Sequence, residues 1–393
     1  IETEQQTLAR AVRGRLLAWQ ALLNDHLALI DAQRHFGQTD YTFVIEGWVP
    51  RRELPNLEAA LQAEVGEEVL VTELPLSAEE RKRAPVMFDN PGVVRPFEPL
   101  LRLLGLPRYG AFDPTPLMAV FLPLFFGMIL GDIAYGAILL GVMIYLRQRF
   151  RHRPMLRALA EVLIMGAAWS IVFGFIYGEF LGAVGEELGL HPLWFGRGPE
   201  NLERLFLLTI GIGAGHVVLG LALGLWSAWA RHSRHEAIEK AAMLAALAAL
   251  FLLAGVVADF LPPFMFTPAL AGLVVGLAIL IYGQGGIGVL LAPLELLSTV
   301  GNILSYLRIA AIGLSSVYLA EVAGALAGAA GNLWVGVIIA SFFHALNVLL
   351  GAFSPTIHSL RLHYVEFFSK FYQGGGQAFR PFARSVTSQI SGT

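Results

Sequence analysis

The sequence reads as a mainly α, polytopic membrane bundle of about eight crossings, preceded by a partial cytoplasmic α/β lobe with a long coiled-coil-like helix. Three observations carry this. Hydrophobic residues make up 56% of the 393 residues and charged residues only 15%, beyond what a soluble core needs. Several apolar runs reach the ~20 residues that a membrane-spanning helix requires. The first hundred or so residues break this pattern, alternating charged helix with short β-rich runs.

Residues 1–113 form the polar region. TEQQTLARAVRGRLLAWQALLNDHLALIDAQRHF carries apolar residues at helical spacing among charges and predicts a helix over 1–36 suited to pairing with another helix. The chain opens at Ile1 inside this pattern, without methionine or signal sequence, and reads as a fragment lacking its N-terminal part. YTFVIEGWVP predicts a strand, RELPNLEAALQAEV a helix and EEVLVTELP a second strand, giving a small βαβ-like lobe over 40–75. A proline- and glycine-rich linker, 76–113, follows. The lobe holds neither a phosphate loop nor a nucleophile–base cluster, so it suits binding, and the chain has no catalytic site of its own.

The membrane domain is expected over 114–372, with a cytoplasmic tail at 373–393. Apolar segments lie near 116–146, 156–182, 204–231, 237–261, 266–283, 288–328 and 333–369. RQRFRHRPMLR, with five arginines and no acid, follows the first of them and marks the cytoplasmic side. The preceding lobe, without an export signal, belongs on that side too. Segment 116–146 therefore reads as a hairpin of two short passes bent near Gly127, Gly131 and Asp132. RHSRHE and Lys370, Arg380 and Arg384 then fall inside, the acid-bearing VGEELGLHPLWFGRGPENLE outside, and both termini are cytoplasmic in a multi-pass cell-membrane protein. The last two segments exceed the bilayer's span and predict strong tilt or projection beyond it.

Arg308 and Arg361 lie within these last apolar runs. Charges at membrane depth line bundle interiors or aqueous paths, and guanidinium stays protonated at physiological pH. Each arginine therefore acts as a fixed positive charge. Helical spacing places Gly301, Ser305, Arg308, Ile312 and Ser315 on one face, a stripe of small and hydroxylated residues open to close approach by another helix. Ser354, His358 and Arg361 share a face of the final helix near Pro355, and His358 is suited to proton relay. Glu161, Glu179, Glu295, Glu321 and His344 are candidates for wet cavities, whereas Glu239, Asp259 and Glu366 read as membrane-interface residues.

No cysteine is present, which excludes disulfides and thiol chemistry. GQGGIG at 283–288 joins apolar helices outside any βαβ context and reads as a turn, and His232 and His235 have no evident third metal ligand. No cofactor, metal or nucleic acid is expected.

The strand VIEGWVP, the junction PVMFDNPGVVRPFE with YGAFDPTPLMAVFLPLFFGMILGDIAYG, LELLSTVGNILSYLRIAAIGLSSVYLA and FHALNVLLGAFSPTIHSLRLHYVEFFSKFYQGGG together resemble the large membrane subunit, subunit a or subunit I, of V/A-type rotary ATPases of the prokaryotic kind. The resemblance implies that Arg308 and Arg361 face a proteolipid ring whose lipid-embedded carboxylates carry the ion. It implies peripheral-stalk E and G subunits as partners of the polar region and a central-stalk subunit, d or C, at the ring. ATP chemistry would belong to other subunits, and the ring's own site would choose proton or sodium. Glu295 and His358 match the family pattern. Eukaryotic relatives differ in carrying an acid where this chain has Gly351 and a histidine where it has Ser316. A secondary transporter with a regulatory lobe is the alternative, but it predicts internal repeats that the sequence lacks.

Overall fold

The computed structural model describes residues 2–182, 184–187 and 189–382. Arg384 and the rest of the expected tail beyond 382 lie outside the described residues. The chain divides into two compact units, one made of residues up to Met87 with those from Gly376, the other Phe88–Gly375.

In the first unit α1 (Glu2–Gln33) forms as the periodicity predicts. A short antiparallel pair, β1 (Gly37–Gln38) with β2 (Phe43–Val44), precedes α2 (Leu54–Val65). The second strand expected from EEVLVTELP does not form. Residues 69–77 carry no regular structure, and Leu70 and Leu74 are exposed. Strand propensity needs pairing with another edge to satisfy its backbone, and among the described residues this segment pairs with none. Ser77 starts α3 (Ala78–Arg83) with a reciprocal cap, its hydroxyl accepting from Glu80 N while Glu80 Oε2 accepts from Ser77 N. Beyond it β3 (Pro85–Val86) pairs in parallel with Gln377 and Ala378.

The second unit opens with α4 (Glu98–Arg102) and the short strand β4 (Leu106–Pro107). The helical hairpin follows as α5 (Thr115–Leu130) and α6 (Ile133–Arg149). Gly131 takes φ 45°, which suits a residue without Cβ, and Asp132 Oδ1 caps α6 by accepting from Tyr135 N at 3.0 Å. At ~1.5 Å per residue each arm is about 25 Å long, short of a ~30 Å hydrocarbon core. Both arms lie on α7 (Pro154–Tyr177). The approach is close: a Cβ on Gly127 would sit 2.5 Å from Trp169 Cβ, and one on Gly174 2.5 Å from Ile133 N.

After the short α8 (Val184–Glu187) come α9 (Leu202–Ala230), α10 (Arg234–Val257) and α11 (Phe266–Gln284), each against the next. GQGGIG forms the turn into α12 (Gly288–Leu304), with Gly285 at φ 70°. The apolar run 288–328 is not one helix. It breaks at Ser305–Tyr306, and α13 (Leu307–Ala329) starts afresh. α14 (Leu333–Arg361) passes without interruption into a π-helical turn, Leu362–Phe367. Five helical stretches among the described residues are long and apolar enough to cross a membrane: 154–177, 199–230, 234–257, 263–329 and 333–370. Phe125, Val217, Met243, Leu280, Tyr306 and Leu362 anchor the central core, so α5 and the π-turn are built into the bundle's interior.

Candidate functional site

The break before Arg308 has a local cause. Tyr306 is fully buried, its ring seated where a Cβ on Gly213 would meet it at 2.7 Å, and its Oη lies 2.6 Å from His216 Nδ1. Anchoring the ring to α9 turns the backbone. Arg308 N and Ile309 N reach the carbonyls three residues back, at 3.3 and 2.9 Å, in place of α-helical bonds. Ser305 Oγ donates to Gly301 O at 3.0 Å and closes the end of α12. The expected stripe of small residues is therefore split between two helices, Ser305 on one side of the break and Arg308 and Ser315 on the other.

Arg308, Ser305, His358 and Arg361 come together. Arg308 is half-buried, Arg361 is exposed, and each lies within electrostatic reach of the other and of His358. Glu366, which the sequence assigns to the membrane interface, instead joins them. It is 2% exposed, and its Oε1 stands 3.9 Å from Arg308 Nη1. The π-turn brings it there, because on a regular α-helix a residue five positions after Arg361 points about 140° away from it.

Glu295 is on α12 with its Oε2 accepting from Gln284 Nε2 of α11 at 3.0 Å. Lys370 Nζ donates to Thr299 Oγ1, one turn further along α12, at 3.1 Å. Glu295 and Thr299 thus lie one turn apart on α12, each bonded to a side chain from another element.

A second polar group lies between α13 and α14. Asn347 is buried, its Oδ1 accepting from Ser316 Oγ and its Nδ2 donating to Ser316 O, both at 2.9 Å. His344 Nδ1 lies 2.7 Å from Tyr135 Oη of the hairpin. A cavity of 110 Å³ is lined by Ser315, Ser316, Asn347, Gly351 and Ser354, among others. Gly351 and Ser316 thus border the same space.

The remaining carboxylates are separate. Glu161 is held by Arg147 Nε at 2.9 Å and Arg157 Nε at 3.0 Å. Glu321 is exposed on α13, within electrostatic reach of Glu179. Glu179 is buried in a pair with Arg197, whose Nε donates to it at 2.8 Å. Sequence reasoning missed Arg197, because a single arginine in a loop between apolar segments carries no periodic signal. Burial opposes its charge, but the adjacent Glu179 carboxylate more than compensates and moves the guanidinium pKa up.

Comparison with known proteins bears on what this arrangement does. The model of the V-type ATPase 116kDa subunit family matches residues 2–186 and 295–384. The A-type ATP synthase subunit I of Archaeoglobus fulgidus is 32% identical, over 94% of this chain and 62% of that protein. Its counterpart in Methanocaldococcus jannaschii is 29% identical, over 97% and 62%. That of Halobacterium salinarum is 29% identical, over 96% and 66%. The chain spans somewhat under two thirds of the length of these relatives.

Proposed function

The chain belongs to the V-type ATPase 116kDa subunit family, and from that premise we propose that it is the stator membrane subunit of a rotary ATPase, coupling ion flow to rotation of a proteolipid ring. The observation that carries the reading is the convergence of Arg308 and Arg361 from α13 and α14. α14 belongs to the stretch least covered by the chain itself. The most apolar window of 333–370 is 11% buried, against 39% for 199–230. Such a face suits lipid or another membrane subunit.

In this reading a ring carboxylate arriving beside the guanidinium is favoured in its ionised form and gives up its proton. Returning to lipid, it must be neutral. If separate aqueous paths reach the arginines from the two sides, an ion crosses only by riding the ring. One path uses Glu295, Lys370 and Ser305. The other uses His344 with Tyr135, the cavity beside Ser315, and His358, with Glu321 near its mouth. Glu161 and Glu179, each held by arginine, serve the frame. The hairpin and the helices after it make eight crossings with both termini cytoplasmic. The first unit anchors the peripheral-stalk E and G subunits, which stop this subunit turning with the ring, and the central-stalk subunit sits at the ring.

Cross-linking tests the docking face, since the chain has no cysteine of its own. Cysteine placed at Ser315 or Ile357 should form a disulfide with one on the carboxylate-bearing helix of the ring, and cysteine at Val274 of α11 should not. Bonding from Val274 alone would put the ring elsewhere and remove the proposal.

A further inference from the structure

Glu366 is buried at 2% exposure, and the nearest cation to it is 3.9 Å away. Its Oε2 and Arg308 Nη1 are both buried, and among the described residues neither has a hydrogen-bond partner. Charges taken out of water normally gain short, well-directed hydrogen bonds, and this pair has stopped short of one. A carboxylate kept only for packing would be replaced without loss by a neutral side chain of the same shape. The neighbourhood repeats the pattern: His358 Nδ1, Ser359 Oγ and His363 Nε2 are also buried without partners among the described residues. Buried polar groups are almost always satisfied, so this concentration at the end of α14 marks groups available to a passing charge or water.

We propose that Glu366 is an internal counter-ion that shares the Arg308 guanidinium with each arriving carboxylate and so sets how tightly that carboxylate is held. This rests on the reading that Arg308 faces the ring. The physical need is release. In a low-dielectric site an unopposed guanidinium ionises a carboxylate and then retains it, whereas rotation requires it to leave at every step. A fixed carboxylate behind the guanidinium, near enough to weaken its field but too far to claim its donors, favours ionisation without trapping. It also leaves Arg308 accompanied when no ring carboxylate stands opposite. Ser305 at the helix break and Arg361 at the start of the π-turn both act on Glu366, so the break and the turn together place the carboxylate. Glu366 acts through Arg308 and is a positioning residue.

The test uses the assembled complex in proteoliposomes, comparing ATP-driven acidification for the parent, Glu366→Gln, Glu366→Asp and Arg308→Ala, each normalised to the subunit and ring retained. Gln keeps the shape and loses the charge, and Asp keeps the charge and shortens the reach. The proposal expects Gln to slow transport by about tenfold or more with the complex intact, and Asp to restore a substantial part. Gln transporting like the parent, Asp at or below Gln, or failure of the Gln complex to assemble each overturns it. The last outcome would make the carboxylate a folding element. Undiminished transport in Arg308→Ala would instead sink the ring-facing reading itself. Abolished transport there, with normal transport in Gln, would remove only the internal counter-ion.

Discussion

Arg197 closes the carboxyl end of α5 with the same guanidinium that holds Glu179. Its Nη1 donates to Ile129 O at 2.8 Å, and its Nη2 to Leu130 O at 3.0 Å and Gly131 O at 3.1 Å. Its Nε donates to Glu179 at 2.8 Å, and the Tyr177 ring lies 4.8 Å from its Cζ. A helix end buried in a bundle leaves carbonyls that need donors, and one side chain from a loop supplies them. The hairpin tip is therefore fixed from outside.

Replacing Arg197 by Met should be among the most destabilising single changes in this unit. Glu179 would be left buried without its cation, a loss of about 3–5 kcal/mol, and the carbonyls of α5 would lose their donors. Thermal unfolding of the purified subunit in detergent measures it. Arg197→Lys should rescue little, because an ammonium lacks the planar fork that reaches carboxylate and carbonyls together. A Lys variant as stable as the parent would show that charge alone suffices.

Gly127 and Gly141 should respond differently to alanine. A Cβ at Gly127 would collide with the Trp169 backbone and side chain, whereas Gly141 has nothing within 4 Å. Gly127→Ala is expected to cost about 1–3 kcal/mol through forced separation of α5 and α7. Gly141→Ala should be neutral or slightly stabilising, since alanine favours helix. The two melting temperatures, measured side by side, check the close approach.

Tyr306→Phe should cost about 1–3 kcal/mol by leaving His216 Nδ1 buried without its partner. Combining it with His216→Phe should recover part of that loss, as both polar groups are then gone. A double-mutant cycle in thermal stability reads the coupling directly. Additive effects would mean that the 2.6 Å contact does not hold the break.

These residues also show where the sequence is readable. The hairpin was legible because Gly131 and Asp132 sit midway in an apolar run whose flanks demand a return to one side. Both are turn residues, and the structure uses them as such. The break at Ser305–Tyr306 was not legible. Its run is predominantly apolar, without proline or glycine at the bend, and the turn depends on His216, ninety positions away. Arg308 and Arg361 stood out because each is a charge in an apolar stretch. Glu366 did not, because it lies near the end of its apolar run, where a carboxylate reads as a membrane-interface residue, and the π-turn that turns it toward Arg308 has no sequence signal. Glu179 was singled out for its position, but Arg197, which decides its surroundings, lies 18 residues on in a loop. The strand expected over 67–75 failed for the opposite reason: local propensity was present, but among the described residues the segment pairs with no other strand.

ATP-driven acidification by proteoliposomes carrying the complex with Arg308→Ala tests the central claim most directly. The account predicts that acidification is lost while the complex remains intact and retains its ring, because the Arg308 guanidinium no longer discharges the ring carboxylates. Acidification equal to the parent's, with the same ring content, would contradict it and leave α13 and α14 as scaffold.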